Sequence, residues 1–403
     1  MIRIGKNLID SIQWGQNNIT QIYKGDKKIW PSDVNGVIMN QKNTDPTEII
    51  TGEVLNNELV NIINNTHWYC GKLTEEGMLI CQVGHKVVDL TDSKTTPGDL
   101  STFYNGTNRF STYTNGGTKP WPYGDVFIKF PPFSVIKEVI DDDMAQLKWA
   151  YGIEMPGWIY VEGNWLIGLS SCGWEFNKLQ CHANVHDESR TFNEWKGLLE
   201  QMNDSRYGFM TYWQRCIFTH LYWSIYGTTR DVLDGSPHYF LGIDAFCSSW
   251  PEYMDGIVVN NRVPTITLPN GTTRIGHTLP GTGGLGAGGY ISKIWMTPYL
   301  DILPKELNGS ADSGYCSYAW TSNGEECIPR AKSGRDQNGE IIGVGYDRQG
   351  SDNAGKACVR LTYHGKIIET KDVEAFRRVK PINGGVFYND ETGQDEYYNP
   401  YEE

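Results

Sequence analysis

Three groups of residues in this 403-residue chain have types and spacings that could carry chemistry. The run Gly281-Thr-Gly-Gly-Leu-Gly-Ala-Gly-Gly289 contains a nominal G-x-G-x-x-G. A dinucleotide loop needs a strand before it and a helix after it, so that the helix N-terminus meets the pyrophosphate. Here Thr278-Leu279-Pro280 precedes the run, and Tyr290-Ile-Ser-Lys-Ile-Trp295, which reads as a strand, follows it. No Gly-Lys-Ser/Thr follows, so phosphate cradling is not expected and a flexible or tightly folded loop is. Cys181, His182 and His186 have ligand-type spacing with Asp187 adjacent, and histidines at i and i+4 could share a metal on a helix face. They sit between a hairpin signal and a helix cap, with no further ligand placed, so a surface loop is expected and no metal or cofactor. The carboxylates Glu325-Glu326 lie in an evident loop and read as solvated charge.

Nine cysteines are an odd number, and no CxxC pair occurs among them. Most have apolar or aromatic neighbours (Cys70, Cys216, Cys247, Cys358), which predicts reduced thiols in a core. The mixture of 45 Gly, 14 Trp and 23 Tyr predicts a loop-rich, strand-rich protein with rings divided between core and ligand. A net charge of −13 repels a phosphate backbone, so nucleic acid is not an expected partner. The opening MIRIGKNLIDSIQW has no apolar signal region, and no apolar run approaches membrane-spanning length. Membrane insertion is not expected.

The elements that would position a site are legible in part. Ile22 and Tyr23, the turn Lys24-Gly25-Asp26-Lys27, then Ile29 and Trp30 predict a hairpin in a separate N-terminal module of residues 1–34. Residues 35–150 read as a mixed first part of the body. They carry a short helix over 53–64 (Leu55, Leu59, Ile62, Ile63) and a strand over 125–130 with Val126, Ile128 and Phe130 on one face. Glu162-Gly163-Asn164 between Trp158–Val161 and Trp165–Leu169 predicts another hairpin. Two capping boxes, Thr191 with Glu194 and Thr211 with Gln214, predict two helices, the second with a broad apolar face. The chain then reads as irregular up to Ile291. It closes on a strand over 357–363, a turn at His364-Gly365, and Ile367-Ile368. Residues 386–403 read as a mobile acidic, Tyr-rich tail, and no internal repeat is expected.

The stretch from Tyr207-Gly-Phe-Met-Thr-Tyr-Trp-Gln214 to Ser224-Ile-Tyr-Gly-Thr-Thr229 resembles the LMTYWEWS-like helix of many phage tail and fibre proteins. The segment Tyr239 to Gly256 resembles the family's YRGIENLWGNVWEWVDG, with Pro251-Glu252-Tyr253 where the family has Trp-Glu-Trp. Gly124 to Phe133 resembles its GDVMVEIPKF strand, and Gly281 to Gly289 its Gly-rich loop. The resemblance implies an α+β chain: a C-type-lectin-like body with loop-rich elaborations, the lectin-like part at 151–385, behind a β-hairpin docking module. The fold is one that family shares with formylglycine-generating enzymes and retroelement-diversified variable proteins. It also implies a virion protein assembled in the host cytoplasm, a homo-oligomer with trimers common among fibres. Its partners would be other virion proteins and a host cell-surface glycan or protein. Ile22, Tyr23, Ile29 and Trp30 would dock it to the particle.

Tyr315, Tyr318 and Trp320, with Tyr346 and Arg348 as neighbours, are the expected ligand-binding residues. Tyr, Trp, Ser, Asn and Gly are the residues adaptable binding loops favour, and the segment precedes the closing strand, where diversified relatives place their variable surface. The alternative is a purely structural collar, head-fibre or decoration protein. A remoter one is a copper oxidase of the formylglycine-generating type, which would need a thiolate pair among Cys316, Cys327 and Cys358. The spacing of those cysteines and the lack of the enzyme's Arg-Cys pairing argue against it, and the motifs of calcium-dependent sugar binding do not occur. The protein is not expected to be an enzyme.

Overall fold

In the computed structural model the described residues are 57–84, 124–169, 171–175, 177–181, 190–226, 252–281, 288–310 and 357–400. Outside these ranges it describes short strands between residues 3 and 42, Ile243, Tyr315, and segments 317–321, 327–331 and 344–348. The chain is mixed α+β, rich in strands and with few helices.

The central sheet has seven strands in the order Tyr207–Phe209, Leu361–Tyr363, Leu166–Gly168, Asp125–Lys129, His67–Thr74, Gly77–Gly84, Ile367–Thr370. The Asp125–Lys129 strand is buried on both faces, not one. Val126 and Ile128 join one apolar core while Phe127 joins the other. Only three residues, 364–366, connect the second strand in this order to the seventh. Such a link spans roughly 14 Å at most, whereas five flat strand spacings need about 24 Å. The sheet therefore curls until its edges approach, and the expected turn at His364-Gly365 is a bend, not a hairpin. Met78 N donates to Lys366 O at 2.9 Å and Tyr363 Oη to the same carbonyl at 3.2 Å, which fixes the bend.

A second sheet, in the order Ile159–Val161, Phe133–Asp141, Met144–Tyr151, Met39–Lys42, is reached by two crossings placed side by side. Pro131-Pro132 cannot donate to a ladder, so the chain leaves the first sheet after Lys129 and enters the second at Phe133. It returns through Glu162-Gly163-Asn164. The hairpin expected there does not form, because Ile159–Val161 pairs with Phe133–Val135 while Leu166–Gly168 pairs with Phe127–Lys129. Gly163 sits at φ +70, where an added Cβ would lie 2.6 Å from Phe130 O.

Both capping boxes form. Thr191 Oγ1 accepts from Glu194 N at 3.2 Å while Glu194 Oε2 accepts from Thr191 N at 2.7 Å, opening the Phe192–Gln201 helix. Gln214 and Thr211 repeat the pair at 3.2 and 2.8 Å. The Tyr212–Tyr226 helix they open is buried on every side from Tyr212 to Ser224, a more complete burial than one broad face implies. Phe218 meets Phe130 of the first sheet at 5.0 Å, and Ser224 Oγ accepts from Trp149 Nε1 of the second at 3.2 Å. The helix expected over 53–64 runs Asn57–Asn64 with Leu59, Ile62 and Ile63 buried; Leu55 lies outside the described residues.

Residues 252–275, expected to be irregular, belong to an eight-stranded sheet with Ile257–Asn260, Val263–Thr267 and Thr273–Ile275 at one side. The boundary expected at 150/151 does not separate two cores, since the seven-stranded sheet takes strands from both sides of it. The C-terminal segment is a hairpin of Gly385–Asn389 with Gln394–Tyr398, not a free tail. Two of its acids meet arginines of the preceding helix: Asp395 pairs with Arg377 at 3.2 Å and Asp390 with Arg378 at 2.9 Å.

The first thirty residues hold three hairpins where one was expected: Arg3–Ile4 with Asn7–Leu8, Ile12–Trp14 with Asn17–Ile19, and Ile22–Lys24 with Lys27–Trp30. They follow a ten-residue repeat. Ile2, Ile12 and Ile22 recur, as do Gly5, Gly15 and Gly25, and Ile9, Ile19 and Ile29. In the sequence each glycine directly follows the first strand of its hairpin.

Candidate functional site

The rings expected to meet a ligand are inside the protein. Tyr315 is 0% exposed, Tyr318 6% and Trp320 2%. Tyr315 packs on Trp223 of the central helix at 5.8 Å, and Tyr318 makes an edge contact with Tyr290 at 5.2 Å. The ends of the Gly-rich run press on the same strand. A Cβ on Gly288 would lie 2.4 Å from Ala319 O, and Thr321 Oγ1 donates to Gly281 O. The glycines therefore serve close packing over Tyr318–Thr321, and these three residues are corrected from ligand contacts to core. Tyr346 and Arg348 lie on Val344–Arg348, paired with Thr321 and Cys327 respectively. Their side chains lie outside the described residues, as do those of Ile22, Tyr23, Ile29 and Trp30, whose backbones form the third hairpin.

His182 and His186 also lie outside the described residues, and among the described residues no group of three His, Cys, Asp or Glu could hold a metal. The six cysteines whose side chains are described, Cys70, Cys81, Cys172, Cys181, Cys216 and Cys358, form no disulfide and are buried. Burial pushes the Cys216 thiol up to about 12, which removes its thiolate at neutral pH. Cys316 and the Cys327 side chain lie outside the described residues.

A cleft of about 620 Å³ opens elsewhere, where four segments converge. The returning sheet crossing contributes Tyr160, Glu162, Asn164 and Trp165. The start of the central helix adds Thr211, Trp213 and Gln214. The turn after Val263–Thr267 adds Asn270, and the bend of the curled sheet adds His364. Trp165 and Trp213, each 8% exposed, form the floor, while Glu162, Asn164, Asn270 and His364 are exposed at the lip. Trp165 is held against Phe130, with ring centroids 6.0 Å apart.

Each lip group is oriented by its own segment. Asn164 Nδ2 donates to Glu162 Oε2 at 2.5 Å. Asn270 Oδ1 accepts from Thr272 N at 3.0 Å and Thr272 Oγ1 at 2.7 Å, and Gly271 completes that turn at φ +78. His364 Nε2 lies 2.9 Å from Thr362 Oγ1, and partial desolvation lowers its pKa. Lys and Arg do not occur among the residues lining the cleft. None of these residues stands out in the sequence as a site; they come from four segments spread between 160 and 364.

A second polar group is sealed in the core. Lys137 follows Phe133 and Val135 on the inward face of its strand, is 1% exposed, and its Nζ has no hydrogen-bond partner. Burial lowers it to about 8 against the pull of Asp301 and Cys216. His220 Nε2 donates to Leu300 O at 3.0 Å, which leaves Nδ1 unprotonated and without a partner. Burial, then the neighbouring Lys137, holds its pKa well below the usual range. No protein-family model, curated protein or solved structure matches the chain.

Proposed function

We propose that the protein is a bacteriophage virion protein, a fibre- or tail-type adhesin that attaches to the particle by its N-terminal hairpins and meets the host surface with a C-type-lectin-like body. The observation that carries this reading is the ten-residue repeat. Each of its hairpins is a separate two-stranded sheet, and a hairpin of this kind is marginal in water without a partner. Repeated Ile positions on a short, three-fold reiterated unit suit docking to another protein of the particle or to further copies of this chain. Ile22, Tyr23, Ile29 and Trp30 belong to the last unit. The resemblance of residues 207–256 to tail and fibre proteins supports the same reading. So does the acidic net charge, which disfavours a genome-binding role.

The burial of Tyr315, Tyr318 and Trp320 favours a second reading, a collar, head-fibre or decoration protein without receptor contact. Deletion of residues 1–32 tests the attachment half of the proposal. The truncated protein should keep the thermal unfolding of the body and fail to enter particles; normal incorporation would overturn it. Particles lacking the whole protein should assemble but adsorb poorly to host cells; normal adsorption would leave the structural role.

A further inference from the structure

We propose that the cleft between the returning sheet crossing, the start of the central helix and the 268–271 turn binds an uncharged, hydroxyl-rich ligand, a neutral sugar unit of a surface glycan. The inference rests on the adhesin reading for where the ligand would be found, but the chemistry comes from the cleft alone. Its volume of about 620 Å³ falls within the range of small-molecule sites, roughly 300–1,000 Å³. Indole rings in the floor offer flat apolar faces to the C–H face of a pyranose, a contact whose worth comes from ring area held at little entropy cost.

The polar inventory suits vicinal hydroxyls, each of which both donates and accepts. Gln214 Oε1 is occupied by Thr211 N, which turns its amide Nε2 to outside donation. Asn270 Oδ1 is likewise occupied by Thr272, leaving Nδ2 as donor. One hydrogen of Asn164 Nδ2 goes to Glu162 Oε2, which leaves the other as a donor and Asn164 Oδ1 and Glu162 Oε1 as acceptors. Amide donors of Gln214, Asn270 and Asn164 and acceptors of Asn164 and Glu162 thus surround the cleft with their partner atoms already fixed, so little ordering accompanies binding.

Charge decides the class. A phosphate, sulfate or sialic carboxylate needs a cation or a cluster of N–H groups. The lining offers neither Lys nor Arg, and places the Glu162 carboxylate at the lip of a chain carrying −13. Acidic sugars are therefore disfavoured by the same group that would accept hydroxyl protons from neutral ones.

The test uses the full-length protein and a panel of neutral oligosaccharides (maltotriose, N-acetylglucosamine trimer, galactose- and rhamnose-containing trisaccharides) beside sialylated and phosphorylated counterparts. Calorimetry and the fluorescence of Trp165 and Trp213 should report binding of at least one neutral member, with its acidic counterpart at least 10-fold weaker. The double substitution Asn164→Ala with Asn270→Ala, both on exposed residues, should weaken that binding at least 10-fold while the body stays folded and unfolds cooperatively. Glu162→Lys should narrow or invert the neutral-to-acidic preference. Failure of every neutral member to bind, equal binding of the acidic ones, or unchanged affinity in the folded double variant would each overturn the proposal. Particles carrying the double variant separate this from the wider reading. If they adsorb normally while particles lacking the protein do not, the cleft assignment falls and the adhesin stands.

Discussion

The guanidinium of Arg360 donates to both carboxylate oxygens of Glu252, Nε to Oε1 at 3.2 Å and Nη2 to Oε2 at 3.0 Å, with each side chain 1% exposed. Its remaining nitrogen, Nη1, donates to Gly168 O at 3.0 Å and Leu169 O at 2.7 Å. Through Arg360, Glu252 ties the Leu166–Gly168 strand to the start of the eight-stranded sheet. Removing one partner leaves an uncompensated buried charge. Glu252→Ala should therefore cost about 3–5 kcal/mol in urea unfolding. Glu252→Leu with Arg360→Met should recover part of that loss but not all, because two buried carbonyls are then left unmade. A cost below about 1 kcal/mol for Glu252→Ala would show that the pair is not sealed from water.

Lys137 should contribute stability that grows as pH rises above neutrality. Below about 8 both states hold the proton and the folded state bears the full cost of the buried ammonium. As pH climbs from about 8 toward 10.5 the folded lysine releases its proton while the unfolded one keeps it, so folding is favoured progressively. The ceiling of this effect is about 3 kcal/mol. Lys72, lowered to about 8 by burial, acts in the same direction, while Tyr69, raised to about 12, and the buried thiols of Cys81, Cys172, Cys181 and Cys216, all raised by burial, oppose it as their unfolded counterparts ionise. Lys137→Met should be more stable than the native chain near pH 7, by a margin that shrinks as pH rises from about 8 to 10.5; a constant margin would refute this.

Acidification should destabilise the chain through His220. Its folded pKa is held well below 6.5, so the unfolded state takes up a proton first, and stability declines as pH falls below about 6.5. His220→Gln should lessen that decline between about pH 6.5 and 5, measured against the native chain by chemical unfolding at each pH.

Leu221 is 0% exposed on the central helix, so Leu221→Ala should cost roughly 2–5 kcal/mol by leaving a cavity. A loss below about 1 kcal/mol would mean that the helix is not enclosed as described.

Gly163→Ala should destabilise by more than the usual glycine penalty. The residue holds φ +70, and its Cβ would stand 2.6 Å from Phe130 O in the neighbouring crossing. A cost of roughly 2 kcal/mol or more is expected, with the cleft disturbed because Glu162 and Asn164 flank the same residue. Gly152→Ala, at φ +67 with open space around its Cβ, supplies the control and should cost less.

What the sequence discloses depends on whether the signal is local. Both capping boxes are, because a box is written in two residues three apart, and both form. The 257–267 hairpin escapes reading because its turn is Asn261-Arg262 at φ 49 and 67, left-handed positions filled without glycine. The alternation of Ile257 and Val259 before the turn with Pro264 and Ile266 after it, all buried, was the available clue. The 162–164 segment has the composition of a hairpin turn, yet its flanks pair elsewhere, since proline at 131 and 132 had already placed the preceding strands in two sheets. The ten-residue repeat lay in plain view, marked by three glycines and six isoleucines at fixed intervals. Buried rings and exposed rings share one composition, so Tyr315 to Trp320 read as a binding loop until their neighbours from 223 and 288–290 were in place. The cleft is the least legible feature, because its residues meet only through the crossing and the bend.

The bend at 364–366 sets a schedule for the ribosome. Met78 N finds Lys366 O only after nearly three hundred intervening residues have been made, and Gly77–Gly84 gains its parallel neighbour at the same moment. At about 5–20 residues per second, the first long strands wait roughly 15–60 s with an open edge. Pairings this distant in sequence also close slowly once the chain is free, since the loop entropy is spent before the contacts form. A nascent chain stopped before residue 361 has every helix that surrounds the central sheet except the last, and still cannot close it. Chains terminated early should accordingly be found with chaperones or in aggregates, while full-length chains mature after release.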